Sequence, residues 1–381
     1  MVQVTDSAGR SRESGTTRPL RILMTADTVG GVWTYALHLA AGLAVHGTEV
    51  HLATMGAAPD AGQRRAAGAV AGLHLYESTF RLEWMNAPWT DVTAAGDWLL
   101  ALEERIAPDV IHLNGYAHGV LPWHAPHLVV GHSCVYSWWR AVHGARPPLG
   151  YTRYEAATRS GLAAARAVVA PSRAMLTALR AHYGAVPHGE VIHNGLPPLP
   201  DGAWTKEPFV LTVGRLWDEA KNVQTTVRAA ERMRWPLYLV GEIRHPDGWH
   251  ADLGPVTHLG VLAPETLAAW YARAAVFASP ARYEPFGLSI LEAAMHGCAL
   301  VLADIPSLRE LWGDAALFVP PDDADALAGA VDRLAGDDAL RTRYAQKARV
   351  AASRYTLERC TDGYLALYRR LLHAHAAREA L

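Results

Sequence analysis

Residues 20–43 read LRILMTADTVGGVWTYALHLAAGL: a short apolar run, a loop carrying Gly30 and Gly31, then Val32, Tyr35, Leu39 and Leu43 at helical spacing. The run is apolar on successive positions, which fits a strand covered on both faces, as in a parallel sheet sheathed by helices. Strand, small-residue turn and helix make part of a crossover unit, and the same grammar returns. Its apolar runs are EVHLAT (49–54), DVIHL (109–113), HLVVGHS (127–133) and AVVAPS (167–172).

Around residues 194–208 the proline-rich stretch NGLPPLPDGAWTKEP interrupts the rhythm, because proline removes the backbone donor that a helix or central strand needs. We read it as an interdomain connection. The grammar restarts in FVLTVG (209–214), LYLVG (237–241), AVFAS (275–279), ALVLA (299–303) and ALFVP (316–320). Helical stretches interleave these runs over about 222–234, 264–274, 288–296 and 323–335. The expected fold is α/β, two doubly wound domains facing across a cleft. The expected division is a disordered tail over 1–18, a first domain over 19–197, a second over 198–363 and a terminal helix over 364–381. Open sheets of this kind take ligands beyond the carboxyl ends of their strands, so the cleft is the place to look.

The chain has 381 residues, half of them apolar, enough for two cores. Its 35 basic residues nearly balance its 37 acidic ones, so net charge gives no reason to expect nucleic acid as a partner. Cys134, Cys298 and Cys360 are far apart and odd in number, which fits a reducing, cytoplasmic setting better than a disulfide framework. No apolar stretch is long enough for a transmembrane helix, and residues 1–18 lack the apolar core of a signal peptide. Only three lysines, Lys206, Lys221 and Lys347, stand among thirty-two arginines, so a lysine at a chemically meaningful place carries weight.

In RYEPFGLSILEAAMHG (282–297), Pro285 and Gly287 stop regular structure, and Leu288, Leu291 and Met295 then recur at helical spacing. A helix starting near 288 leaves the amides of Phe286, Gly287 and Leu288 unpaired at the positive end of its dipole, a ready phosphate site. Glu292 lies one turn in and leans back toward that end, while Glu284 approaches from the preceding strand. Two carboxylates beside a phosphate repel it unless each is aimed at neutral hydroxyls, which carboxylates accept well. A nucleotide sugar fits: a diphosphate between a ribose and a hexose. Upstream, Arg215 and Lys221 project from the carboxyl edge of the strand 209–214, a guanidinium fork and a point charge suited to a leaving diphosphate.

These residues carry a resemblance. VGRLWDEAKN (213–222), LVGE (239–242), the stretch 258–311 with its two acids in EPFGLSILE, and GDAALFVPPDDADALAGAVDRL (313–334) resemble the donor domain of glycosyltransferase family 4. Its members are retaining nucleotide-sugar transferases of the GT-B fold, with two Rossmann-like domains. The resemblance covers about 209–335 and is looser over the first half. It implies that Glu284 meets the transferred sugar, Glu292 the ribose, Arg215 and Lys221 the diphosphate, and residues 258–262, with Val261, the nucleobase. VGEIRHPDG (240–248) departs from it, lacking the second glycine that usually follows this strand soon.

By the same resemblance the Gly30–Gly31 loop lies across the cleft against donor phosphate and acceptor, Trp33 forms an acceptor wall, and His132 orients the donor sugar. The aromatic stretch 84–143, with Tyr136 and Trp138, suits an acceptor groove, since flat rings stack on sugars and aglycones; core packing is the alternative. The histidines there match no zinc spacing, so no metal is expected. The terminal helix, with Leu365, Tyr368, Leu371 and Leu372 on one face, is expected to cross back to the first domain. Its basic residues are few for a membrane-surface helix, although peripheral membrane contact stays open.

The expected reaction moves a hexosyl group from a UDP- or GDP-sugar to an acceptor hydroxyl with retention, without metal or cofactor beyond the nucleotide-sugar co-substrate. An inverting transferase, a nucleotide-sugar epimerase and a non-catalytic sensor are the rival readings. Acceptor identity and oligomeric state are not legible in the sequence.

Overall fold

The computed structural model describes residues 18–184, 186–199, 204–245 and 248–380; most of the expected tail therefore lies outside the described residues. Two parallel sheets carry the fold. The first contains β1 (Arg21–Asp27), β2 (Glu49–Met55), β3 (Leu73–Glu77), β4 (Val110–Leu113), β5 (His127–Val130), β6 (Ala167–Ala170) and β7 (Gly189–Val191) in the order β3-β2-β1-β4-β5-β6-β7. The second contains β8 (Glu207–Val213), β9 (Leu237–Val240), β10 (Thr257–His258), β11 (Ala274–Ser279), β12 (Ala299–Ala303) and β13 (Ala316–Val319) in the order β10-β9-β8-β11-β12-β13.

Every apolar run named from the sequence lies in one of these strands. The winding reverses at β1/β4 in the first sheet and at β8/β11 in the second, and ligand crevices form at such points. Helices cover both faces, so Leu23, Val129, Leu211 and Val301 are fully buried. The runs that sequence reading missed are β3, β7 and β10. These are edge strands, short or only half covered, where apolar continuity fails.

The chain returns to the first domain at its end. Leu196 donates its N–H to Tyr355 O, and Leu357 N donates back to Leu196 O, tying the interdomain connection to the start of the last helix, Leu357–Glu379. That helix lays Tyr364, Leu365, Tyr368 and Leu371 into the core of the first sheet beside Tyr35 and Leu39 of the helix Gly31–Val45. The crossing is part of the core and holds the two sheets in one molecule.

Candidate active site

Two helix starts converge at the cleft. The helix Gly31–Val45 begins at Gly30 and the helix Leu288–Met295 at Gly287, and no side chain caps either. A Cβ at Gly31 would sit 3.9 Å from Leu288 Cδ1, and one at Gly30 would sit 2.7 Å from Arg215 Nη1, so the loops oppose each other across the gap. Gly287 has φ +86, and a Cβ there would lie 2.7 Å from Ile290 Cδ1, so only glycine suits this entry into the helix. Open amides at two dipole ends, with a guanidinium between them, make a strong place for an anion.

The cations are held by acids. Arg215 Nη2 lies 2.8 Å from Asp218 Oδ2, and Lys221 Nζ lies 2.5 Å from Glu284 Oε2. Glu284 is buried, 8 % exposed, and its carbonyl accepts the Ser307 hydroxyl at 2.6 Å. Burial alone would push the Asp218 carboxyl up, but Arg215, Lys221, the Trp138 indole N–H and the Ala220 amide outweigh it and hold it low. Glu292 differs: burial pushes its carboxyl up to about 7, with the Tyr271 hydroxyl at 3.0 Å pulling the other way. Glu284 and Glu292 thus stand near one helix start, the first paired to a cation and the second to a neutral hydroxyl.

The remaining residues expected on the donor side divide. Leu288 is half-buried at the helix start, and Val261 is 69 % exposed just beyond β10. Phe286 is buried instead, packed on Tyr355 at 5.5 Å between ring centres, so only its backbone could reach a ligand.

On the first domain, His132 follows β5 and donates Nε2–H to Asn114 Oδ1 at 2.8 Å. Burial pushes the His132 imidazole down to about 3, so it is neutral at ordinary pH. The expected acceptor wall at Trp33 is not found: the side chain is 7 % exposed in the core beneath its helix, because its position faces the sheet. Tyr136 donates to Glu155 at 2.6 Å and packs on Tyr183. Trp138 bridges the domains, donating its indole N–H to Asp218 Oδ1 at 2.9 Å. Both aromatics are therefore engaged within the protein.

Further bonds close the cleft beside them. Cys134 N donates to Tyr283 OH at 3.2 Å and Ser172 Oγ to Pro285 O at 2.8 Å. Arg173 N and Ala174 N each donate to the Glu310 carboxylate at 2.8 Å. Ser172, Arg173 and Ala174 start one helix, whose positive end receives this acid from the other domain.

Sequence reasoning missed Asp27, Asn114 and Asp218. The signal was position: Asp27 ends β1 and Asn114 follows β4, both at the carboxyl edge of the sheet, while Asp218 lies between Arg215 and Lys221. Asp27 faces Arg215 from the opposite domain; burial raises its carboxyl, and the guanidinium pulls it back down. A small pocket opens there, lined by Asp27, Arg81, Trp84, Asn114 and Glu83. Glu83 is already committed, accepting the Ala117 amide at 2.6 Å. Among the described residues Glu49, His51 and His74 also gather, at the opposite, amino-terminal edge of β2. Arg21 and Arg105 bear on the same His51 imidazole, which weighs against a cation there.

Fold and site together define a two-domain α/β protein of the GT-B type, with an anion-binding cleft flanked by acids. A model described as "Glycosyltransferase Family 4" matches residues 29–198, and one described as "Glycosyl transferases group 1" matches 207–337. The chain belongs to the family 4 glycosyltransferases. It is 31% identical over 186 residues to the O-antigen chain mannosyltransferase B of Escherichia coli, covering 44% of this chain and 47% of that protein. It spans about half the length of the curated relatives it matches. The fold matches sucrose-phosphate synthase from Thermosynechococcus elongatus, with a TM-score of 0.75 and 22% identity over 93% of this chain and 100% of that one. It also matches Anabaena HepE in complex with UDP-glucose, with a TM-score of 0.68 and 18% identity over 92% and 100%.

Proposed function

We propose that the chain transfers a hexosyl group from a UDP- or GDP-sugar to a hydroxyl of a sugar, glycoside or other small acceptor, with retention of configuration and without a metal. The observation that carries this is the convergence of Arg215, Lys221 and the two uncapped helix starts at Gly30 and Gly287. A departing diphosphate needs fixed positive charge where its own charge builds, and preorganised groups of this kind are normally the largest catalytic contribution. The protein supplies that charge itself, so no cation is called for.

Glu284 and Glu292 take hydroxyls on either side of the diphosphate. Val261, with residues 258–262, lies by the base, and His132 meets the sugar. The C–O bond to phosphate breaks first, and the acceptor attacks the same face, its proton passing to the departing phosphate oxygen. The acceptor enters from the pocket at Asp27, Arg81, Trp84 and Asn114, whose indole and polar groups suit a hydroxylated ring. The expected division at residues 197/198 separates acceptor from donor side. No helix among the described residues is long and apolar enough to cross a membrane, and the three cysteines are free and buried, in keeping with a cytoplasmic setting.

One observation favours an inverting rival. Asp27 is a recessed carboxyl with a raised pKa at the cleft, the kind of group that can act as a general base. Product anomeric configuration, read from proton NMR coupling after incubation with UDP- and GDP-hexoses and simple glycoside acceptors, decides. Retained configuration supports the proposal. An inverted product or no turnover of any nucleotide sugar overturns it.

A further inference from the structure

A buried polar chain runs from His132 to the far end of the sequence. Asn114 Nδ2 lies 2.7 Å from the carbonyl oxygen of Thr25, and a carbonyl can only accept, so the amino end of Asn114 faces Thr25. The Asn114 backbone N–H adds a second tie, donating to Thr25 Oγ1 at 2.9 Å. Asn114 Oδ1 is thereby turned the other way. There it lies 2.8 Å from His132 Nε2 and 3.2 Å from His112 Nε2. An amide oxygen also only accepts, so His132 carries its proton on Nε2, and His112, whose Nε2 meets the same oxygen, is assigned the same tautomer.

The assignment propagates in both directions. His112 Nδ1 is left without a proton and accepts the Tyr368 hydroxyl at 2.7 Å, and Tyr368 sits fully buried on the terminal helix. Tyr35 OH stands 3.3 Å from His112 Nε2, and its ring lies edge-on to His132 at 4.5 Å, walling the pair in. His132 Nδ1 is bare as well, and it has no partner among the described residues. His132 is half-buried at the carboxyl edge of the sheet, where a ligand would sit.

We infer that Asn114 is a positioning residue that locks His132 in its Nε2–H tautomer, so that Nδ1 meets a sugar hydroxyl as an acceptor, and that His112 and Tyr368 brace this lock from the terminal helix. A bare nitrogen takes a hydroxyl proton and repels a phosphate oxygen, so His132 selects the sugar of the donor. The assignment of the ligand rests on the transferase reading above. The tautomer belongs to the free protein and does not. The groups facing the two rings are Asn114, Tyr35, Tyr364, Tyr368 and each other, with no carboxylate or guanidinium among them. Burial pushes both imidazoles down to about 3, in keeping with rings that stay neutral and keep one tautomer.

The experiment reads tautomers directly, by two-bond nitrogen–proton NMR on the full chain labelled with 15N-histidine, with the His132 signals assigned from a His132→Gln sample. Wild type should show an unprotonated Nδ1 at both His132 and His112. Asn114→Ala should turn His132 into a mixture of tautomers. It should also lower kcat about tenfold, with a smaller change in donor KM, as expected for a lost orienting hydrogen bond. Asn114→Asp should keep the Nε2–H form while raising the His132 pKa, adding an acidic limb to the pH profile of kcat/KM. Tyr368→Phe should move the His112 signals first. Thermal melting of each variant checks that it folds. A proton on Nδ1 of wild-type His132, or His132 signals unchanged in both Asn114 variants, overturns the inference. If the tautomers are as stated and no nucleotide sugar is turned over, the reaction fails and the lock stands.

Discussion

The Trp138 indole N–H donates to Asp218 Oδ1 at 2.9 Å, and this bond runs from one domain to the other. The other oxygen of Asp218 holds Arg215 at 2.8 Å, so the same carboxylate closes the cleft and aims the guanidinium. Asp218 is 4 % exposed, and a hydrogen bond to a buried charge contributes about 1.5–3 kcal/mol. Trp138→Phe keeps the apolar body and removes the donor. We expect donor KM to rise about tenfold or more and melting temperature to fall by a few degrees, since the buried Asp218 carboxylate loses a donor. Small-angle scattering should show a more open molecule. Unchanged donor affinity and dimensions would count against a closing role.

Lys221 and Glu284 neutralise each other at 2.5 Å before any ligand arrives. A bound diphosphate competes for the lysine and frees the carboxylate to accept sugar hydroxyls, so each partner has a second use. Glu284→Gln should cut single-turnover transfer about a hundredfold or more with the fold retained, the scale seen when a preorganised polar group is lost from an active site. Lys221→Ala should weaken binding of nucleoside diphosphate by a comparable factor, measured by calorimetry. Transfer and binding at wild-type levels in both variants would remove these residues from the machinery.

Much of this was legible from local pattern, and the reasons differ by residue. Continuous apolar runs reported β1 and β8 because helices cover both faces, and Gly287 marked a helix start because only glycine accepts its backbone angle. Glu284, Arg215 and Lys221 were readable because each lies next to a strand end or helix start. What could not be read was partnership across the fold. Nothing local says that Trp138 faces Asp218, that Asn114 joins two histidines, or that Tyr368 meets His112 across 256 positions. Trp33 shows the converse failure, since its helical register placed it in the core while its neighbours in sequence suggested the cleft.

Two glycines separate activity from stability. A Cβ at Gly30 would meet the tip of Arg215 at 2.7 Å, and that flexible side chain can move away. A Cβ at Gly241 would lie 1.8 Å from the carbonyl oxygen of Gly214, where the backbone of two neighbouring strands cannot yield, and its φ of +134 adds strain. Gly30→Ala should therefore melt near wild type yet lose about tenfold in kcat/KM as Arg215 is displaced. Gly241→Ala should lose about 2 kcal/mol or more of stability, or fail to fold. Thermal melts alongside activity assays distinguish the two outcomes, and equal destabilisation would refute the contrast.

Glu292 makes stability depend on pH. Burial raises its carboxyl to about 7 from an ordinary 4.5, so the folded protein holds this proton more tightly than the unfolded chain does. Between those values the unfolded state binds fewer protons, and the slope of unfolding free energy with pH is negative. Its contribution is present in full below about 4.5, falls as pH rises and is lost by about 7, an amount on the order of 3 kcal/mol at 1.36 kcal/mol per pH unit. Glu292→Gln can still accept the Tyr271 hydroxyl but has no proton to lose. The variant should gain on wild type as pH rises from 4.5 to 7 and hold a constant lead above that. Melting curves of both proteins across pH 4.5–8.5 measure the difference, and parallel curves would show that this carboxylate ionises freely in the folded protein.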